Sequence, residues 1–242
     1  MPKLYDGNAS LKKRRKIRKR KIIIRRIWAS VLTLAIAVTI TWASLTVCKF
    51  FFPDLFGNGI SNMPFGGKLS EKIEKAKETK LPDWVDVQLI NFHTTARTGK
   101  NLTDIKNIVI HYVGNPDTSA QNNRDYFNKI DTRVSSHFVV GLDGEVIQCV
   151  PIYEMSAASN NRNKDTISIE VCHPDETGKF TDVTYGSLID LTAFLCHEFS
   201  LDENDIIRHY DITGKICPKY YVENGDAWEQ MKEDIGKRID EY

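Results

Sequence analysis

The 242-residue sequence lacks internal repeats, and it lacks low-complexity tracts apart from a basic segment near its start. Solenoids and repeat arrays need a recurring unit of about 20 to 50 residues, so both are excluded. A surplus of positive charge is also absent beyond residue 48, because residues 49–242 hold 21 Lys and Arg against 31 Asp and Glu. This part would repel a polyanion, which excludes a soluble nucleic-acid-binding protein with a basic surface throughout. Its many Ile, Leu, Val and aromatic residues exclude a disordered chain.

Charge is distributed very unevenly at the start of the chain. Residues 1–26 hold 12 Lys and Arg and a single acid, Asp6, whereas residues 27–48 hold no charged residue. These 22 uncharged residues would extend about 33 Å as a helix, enough to cross a bilayer. The preceding basic run, together with Trp28 and Trp42, is typical of a span whose N-terminus stays in the cytoplasm. We therefore predict a basic cytoplasmic head (1–26), a single transmembrane helix (27–48) in the cell membrane, and an extracellular remainder on the cell-wall side.

Two alternatives to this anchor remain open. A cleaved signal peptide is disfavoured because the apolar stretch exceeds the usual length of about 7 to 15 residues and no Ala-x-Ala site follows it. Residues 45–48, Leu-Thr-Val-Cys, resemble a bacterial lipobox. Either alternative also places the rest of the chain outside. Beside a membrane span, we expect the basic head to contact anionic lipid head groups, and we expect no nucleic-acid partner.

The outer part divides into a connector and a domain. We assign residues 49–83 to a juxtamembrane connector and stalk, in which Ser70 caps a charged helix at 71–80 that is a solvated spacer. From residue 84 to residue 242, strand and helix patterns alternate, which predicts an α/β layered domain. The predicted strands are 105–112 and 166–172, with a hairpin at 136–150 that turns tightly at Asp143-Gly144; the predicted helices are 119–130, 185–200 and one near 228–239.

Histidine and cysteine residues suggest a metal site. Cys217 lies in a polar loop eight residues after His209, and a thiolate with an imidazole is a typical zinc pair. A catalytic zinc needs a third protein ligand, and His111 at the end of its strand is the best-placed candidate. Spacing alone leaves His111 open, because a single strand-end histidine is more often structural. The remaining outer cysteines lie in apolar segments, where we expect free thiols rather than disulfides: Cys149, Cys172 and Cys196.

Four segments, in this order, carry a family resemblance: IVIHYVG, SSHFVVGLDGEVIQ, TISIEV and RHYDITGKICPKY. Together they resemble the zinc-dependent N-acetylmuramoyl-L-alanine amidases (type 2), which are related to phage amidase-type lysozymes and to peptidoglycan recognition proteins. The resemblance covers about residues 84–222 and implies a mixed central β-sheet flanked by helices. It also implies Zn²⁺ as cofactor, with His111, His209 and Cys217 as ligands. Glu170 matches the acid that activates water, and Lys215 matches the lysine that faces the oxyanion.

The sequence departs from the family pattern at two places. Residues 155–159, Met-Ser-Ala-Ala-Ser, replace an aromatic-His pair that helps to hold substrate, and Ser136 replaces a tyrosine found in some members. His137 matches a family histidine of structural standing, so we leave it out of the catalytic set. Other residues that could take over substrate contacts are Tyr112, Asn115, Arg97 and His173.

The resemblance implies a hydrolase that cleaves the amide bond between N-acetylmuramic acid and L-alanine in the muramyl peptides of peptidoglycan. The first alternative is a membrane-anchored module that binds peptidoglycan without cleaving it; such relatives tend to lack the Cys or Asp ligand, which this chain retains at Cys217. The second is an enzyme that uses Cys217 as a nucleophile with His209. A metal-free thiol hydrolase would have no evident use for His111 and would stay active after zinc removal.

Overall fold

The computed structural model describes residues 70–92 and 95–242. Six α-helices are present in this part of the chain: α1 (Glu71–Glu78), α2 (Ala120–Phe127), α3 (Asp182–Phe199), α4 (His209–Thr213), α5 (Lys219–Glu223) and α6 (Gly225–Ile239). Short 3₁₀ turns occupy Asn160–Arg162 and Glu203–Asp205. The described residues contain no helix that is both long enough and apolar enough to cross a membrane. The predicted span at 27–48 and the basic head lie outside the described residues.

One six-stranded mixed sheet forms the centre of the fold, with the strand order β1-β4-β3-β5-β2-β6. Its strands are β1 (Val85–Val87), β2 (Asn107–Tyr112), β3 (Phe138–Val140), β4 (Val146–Gln148), β5 (Thr166–Val171) and β6 (Ile206–Arg208). All neighbouring pairs are parallel except β3 and β4. The predicted mixed sheet flanked by helices is confirmed.

The hairpin of β3 and β4 is also confirmed, but its turn is longer than predicted. Val140 pairs with Val146, so five residues connect the strands instead of a two-residue turn. Gly144 has a φ of +82°, a conformation that favours glycine. The carboxylate of Glu145 accepts hydrogen bonds from the backbone N–H groups of Asp143 and Ala120, and this second contact ties the loop to the start of α2.

Two apolar clusters cover the two faces of the sheet. On one face, alternate strand residues such as Ile108, Ile110 and Ile169 pack with α3 and α6. On the other face, Val109 and Val139 belong to a smaller cluster with α2, which packs over β3 and β4. Helix α2 therefore does not extend across β2 and β5 on this second face, and their carboxyl ends remain accessible there.

Helix α1 corrects one prediction. Ser70 caps it as expected, accepting a hydrogen bond from the N–H of Lys72. Ile73 and Ala76, three positions apart and hence on one side of the helix, are nevertheless buried in the larger core. The interpretation of this helix as a solvated spacer is therefore wrong, because two buried apolar side chains and a hydrogen bond from Lys72 to the carbonyl oxygen of Ile105 attach it to the domain.

Candidate metal centre

The carboxyl ends of the two central strands carry the first two candidate residues. His111 in β2 and Glu170 in β5 are register partners on neighbouring parallel strands. Partners in register point to the same face of a sheet, and here it is the face that α2 leaves uncovered. The strand pairing therefore places an imidazole and a carboxyl group side by side at the edge of an open region.

The segment after β6 provides the other two candidate ligands. His209 is the first residue of α4, which ends at Gly214 with a φ of +76°. The chain then turns back, and the N–H of Tyr210 donates a hydrogen bond of 3.0 Å to the carbonyl oxygen of Cys217. This backbone contact fixes Cys217 beside His209 although eight positions separate them.

His111, His209 and Cys217 converge on one point. Their candidate donor atoms all lie within 4.8 Å of one another, and all three residues are buried. The Sγ atom of Cys217 lies 3.8 Å from Nδ1 of His111, and the two imidazole rings meet edge to face with their centroids 4.8 Å apart. Three soft or borderline donors grouped in this way match the ligand set of a zinc site with one open position.

The surroundings keep both imidazoles neutral, which is the form that binds a metal. Burial lowers the pKa of His111 well below its ordinary value, and the neighbouring His209 and Lys215 lower it further. Burial also lowers the pKa of His209, again with a contribution from the charge of Lys215. At neutral pH each ring therefore has one nitrogen lone pair available for a cation.

The acidic groups of the site are shifted in the opposite direction. Burial raises the pKa of the Cys217 thiol to about 12, and the nearby Glu170 adds to this shift. Burial raises the pKa of Glu170 to about 8, with Lys215 opposing it. A metal cation would favour the thiolate and carboxylate forms, so that binding would release a proton from Cys217.

One unsatisfied atom supports the fit to a metal centre. Glu170 is partly exposed as a residue, but its Oε2 atom is enclosed and has no hydrogen-bond partner among the described residues. Leaving a buried carboxyl oxygen unpaired is costly, and an ordered water beside a metal would satisfy it. The donor set and this free oxygen together fit a zinc ion with a water close to Glu170.

A cleft of about 820 Å³ opens above these residues. The exposed side chains of Arg133 and Lys215 contribute positive charge to its lining. The replaced segment of the sequence forms another part of the wall, where Ala157 and Ala158 present only methyl groups. The cleft thus has the size of a ligand site, and the imidazole expected from the family pattern is missing from it.

Among the four residues considered for substrate contacts, the cleft includes only Tyr112. Arg97 is buried in a two-bond ion pair with Glu154, with both N–O distances at 2.8 Å. His173 is buried, and both of its ring nitrogens lie 2.7–2.8 Å from backbone carbonyl oxygens. Asn115 is exposed outside the cleft lining. Substrate contacts at Arg97 and His173 are therefore wrong predictions, because these side chains hold the fold together.

His137 and the other cysteines agree with their structural interpretation. The backbone N–H of Ser168 donates to Nδ1 of His137, so Nε2 carries the proton and donates to the carbonyl oxygen of Glu154. Burial lowers the pKa of His137 to about 4, which keeps this ring neutral. The predicted free thiols are confirmed, since each of these residues is buried without a disulfide: Cys149, Cys172 and Cys196.

Sequence reasoning missed several residues of the site. Arg133 and Asn163 line the cleft, and Ser159 and Asn160 contact the two histidines directly. The family pattern draws attention to the segment at 155–163 only through the aromatic-His pair that it lacks. The polar run Ser-Asn-Asn-Arg-Asn at 159–163 was the available signal, because five consecutive polar residues before a buried strand have to satisfy their groups somewhere.

The cleft of this α/β domain holds two neutral imidazoles, a thiol and an unpaired carboxyl group. These residues are the set expected of a metal-dependent hydrolase. Residues 101–220 match the family model Amidase_2, N-acetylmuramoyl-L-alanine amidase. This segment of the chain belongs to that family.

Curated relatives and solved structures agree with this assignment. The chain is similar to N-acetylmuramoyl-L-alanine amidase CwlL of Bacillus licheniformis, at 34% identity over 57% of this chain and 43% of the relative. It is also similar to N-acetylmuramoyl-L-alanine amidase BlyA of Bacillus subtilis (strain 168), at 31% identity over 59% of this chain and 44% of the relative. The chain thus spans less than half of the length of these relatives.

Two solved structures share the fold. The catalytic domain of XlyA superposes with a TM-score of 0.56 at 23% identity, covering 63% of this chain and 99% of that one. PlyL superposes with a TM-score of 0.57 at 19% identity, covering 64% of this chain and 98% of that one. In both, nearly the whole compared structure corresponds to the domain described above.

Proposed function

We propose that the chain is a zinc-dependent peptidoglycan hydrolase that cleaves the amide bond between N-acetylmuramic acid and L-alanine. The observation that carries this proposal is the convergence of His111, His209 and Cys217 within 4.8 Å in the cleft of an Amidase_2 domain. The relatives CwlL and BlyA are named as amidases of this specificity, which supports the same bond as substrate. The thiol in the ligand set agrees with zinc rather than with a hard cation such as magnesium.

The roles of the residues follow from their chemistry. When bound by His111, His209 and Cys217, zinc supplies Lewis acidity for the amide carbonyl and lowers the pKa of water. Glu170 accepts a proton from the attacking water and passes it to the amide nitrogen, so that the C–N bond breaks and L-alanine leaves with a neutral amine. Lys215, whose charge already acts on the site, stabilises the negative charge that develops on the carbonyl oxygen.

The unpaired Oε2 atom supports the role of Glu170 as the base. A general base works best when its pKa lies near the working pH, and burial moves that of Glu170 to about 8 without a metal. The charge of a bound cation would lower the pKa from there. A carboxyl group that was only structural would be expected to have a hydrogen-bond partner.

The decisive experiment is digestion of purified peptidoglycan by the full-length chain in mild detergent, with zinc content measured on the same sample. We expect about one zinc per chain and release of free amino groups that belong to L-alanine. Cys217→Ala should lose both zinc and activity, whereas Glu170→Gln should keep zinc and lose activity. Cys149→Ala, a change at a buried thiol outside the cleft, is the matched control and should keep both.

Other outcomes separate the alternatives. Zinc uptake with retention of peptidoglycan but no cleavage would identify a binding module, and the methyl-lined wall at Ala157 and Ala158 would then explain the loss of turnover. Cleavage that survives complete zinc removal but not Cys217→Ala would identify a thiol nucleophile instead.

We also propose a place for this activity. Residues 27–48 anchor the chain in the cell membrane, residues 1–26 stay in the cytoplasm near anionic lipid, and the domain faces the cell wall. This rests on the uncharged stretch and on the basic residues before it. Protease added to intact spheroplasts should remove the domain and leave a small membrane-bound fragment. Protection of the domain until the cells are lysed would contradict this orientation.

A further inference from the structure

The two histidines of the metal centre each contact a neighbouring residue of one short segment. Nε2 of His111 lies 3.3 Å from Oγ of Ser159, and Nε2 of His209 lies 2.9 Å from Oδ1 of Asn160. These contacts join parts of the chain that are 48 and 49 positions apart. Adjacent residues thus face the Nε2 atoms of the two imidazoles, and in His111 the other nitrogen, Nδ1, is the one beside Cys217.

Backbone hydrogen bonds fix the segment that contains Ser159 and Asn160. Ser159 is fully buried, and its backbone N–H donates a hydrogen bond of 2.6 Å to Oδ1 of Asn163. The same oxygen accepts a bond from the N–H of Ala158, and the N–H of Arg162 donates to the carbonyl oxygen of Ser159. Because the backbone on either side of Ser159 is bonded, its side chain has a fixed position from which to orient a ring.

Asn160 has a backbone conformation that restricts the residue type. Its φ is +54°, in the left-handed region, where Asn, Asp and Gly are tolerated better than other residues. This conformation begins the 3₁₀ turn at Asn160–Arg162, against which α4 packs. The turn therefore brings an amide oxygen to the ring of the first residue of α4.

The hydrogen-bond contacts indicate which nitrogen of each ring would be available to a metal. Nδ1 of His111 is the atom beside the thiol of Cys217, so a metal at this point leaves Nε2 to carry the proton and donate to Ser159. Donation from Nε2 of His209 to the side-chain amide oxygen Oδ1 of Asn160 likewise leaves Nδ1 as the unprotonated nitrogen. The amide oxygen of Asn160 can only accept, so it selects the tautomer protonated at Nε2, and the hydroxyl of Ser159 can accept a bond from the same tautomer of His111.

We propose that Ser159 and Asn160 are positioning residues that set the tautomer and ring orientation of His111 and His209 for zinc. The inference rests on the zinc site of the proposed function and extends it to two residues outside the set of candidate ligands, of which Asn160 also lines the cleft. Ligand histidines generally donate their second nitrogen to such a partner, and loss of the partner weakens metal binding by about 10- to 100-fold.

The test measures zinc affinity of the full-length chain by competition with a chromophoric chelator, and it records the absorption spectrum of the cobalt-substituted protein. Asn160→Gly keeps the left-handed backbone but removes the oxygen, and it should weaken zinc binding by at least about tenfold and alter the cobalt bands. Asn160→Asp offers only accepting oxygens and should restore native affinity. Asn161→Gly, at the exposed neighbour, is the matched control and should change neither.

Ser159→Ala provides a second variant that removes a single oxygen. It should also weaken zinc binding, and the metal-free variant should unfold at the same urea concentration as the metal-free native chain. If Asn160→Gly fails to fold, Ser159→Ala decides the question. Native affinity and native cobalt spectra in both Asn160→Gly and Ser159→Ala would overturn the proposal while leaving the zinc site intact. A native chain that binds no zinc would instead overturn the proposed function itself.

Discussion

Glu170 gives the metal-free protein a pH dependence whose sign and size can be worked out. Burial raises the pKa of its carboxyl group from 4.5 to about 8. The folded state therefore binds this proton more tightly than the unfolded chain does. The resulting contribution to stability is fully present below pH 4.5 and is lost as the pH rises to about 8.

Each pH unit in this interval lowers the free energy of unfolding by about 1.4 kcal/mol, so the total loss is at most about 5 kcal/mol. Glu170→Gln replaces the carboxyl group with an amide of the same shape that does not titrate. The variant should therefore become progressively more stable than the native chain between pH 4.5 and about 8, and the advantage should stay constant above that.

The assay is urea unfolding of the chelator-treated full-length chain, followed by circular dichroism from about pH 5 to about pH 9. Buried histidines give slopes of opposite sign, because burial lowers the pKa of His111 and His137 and their folded forms prefer to be neutral. Subtracting the native curve from that of Glu170→Gln removes these contributions. A difference that does not change with pH would mean that Glu170 titrates near its ordinary value, and it would refute the reasoning.

Three further predictions concern the metal and the core. Cys217→Ala should weaken zinc binding in a chelator competition by more than about 10- to 100-fold, which is the loss expected when a ligand histidine loses its hydrogen-bond partner. Unchanged affinity would exclude this thiol as a ligand. Dialysis against a chelator should abolish release of L-alanine amino groups. Added zinc should restore this activity and added magnesium should not. Recovery with magnesium would contradict a metal site that has a thiol ligand. Glu154→Gln removes the carboxylate charge that faces buried Arg97, and it should lower the free energy of unfolding by about 3–5 kcal/mol in urea titrations. Zinc affinity should not change. Native stability of this variant would show that the ion pair contributes little.

The elements that the sequence predicts well are those with a long regular pattern. Strand β2 has an apolar centre, β5 alternates isoleucine and valine with polar residues, and α3 repeats leucine at helical spacing, so their positions agree within a few residues. Strands β1 and β6 contain only three residues each, too few for a period to be recognised. Helix α1 is polar in composition, and Ile73 and Ala76 are its only buried residues.

The candidate ligands can be chosen from the sequence because motifs contain them, whereas the residues that surround them cannot. His209 and Cys217 lie within one short segment of the sequence, and His111 lies near the end of a recognisable strand. Ser159 and Asn160 meet these histidines only after the chain has folded, across nearly fifty positions. A contact of this kind leaves no periodic signal, and polar loop residues are ordinarily solvated, so only the folded structure distinguishes them.

The charge of the cleft differs from that of the chain around it. Residues 49–242 carry more acids than bases, but Arg133 and Lys215 line the cleft. Glu170, the acid in the same lining, is mostly protonated at neutral pH without a metal because burial raises its pKa to about 8. The metal-free cleft is therefore cationic within an acidic part of the chain, and a peptide that carries carboxylates is attracted to the cleft more than to the surrounding surface. Under the proposed function, the two positive charges of a zinc ion would balance the ionised Cys217 and Glu170. Arg133 and Lys215 would then still supply an orienting force for the stem peptide, where the side chains of Ala157 and Ala158 provide no polar contact.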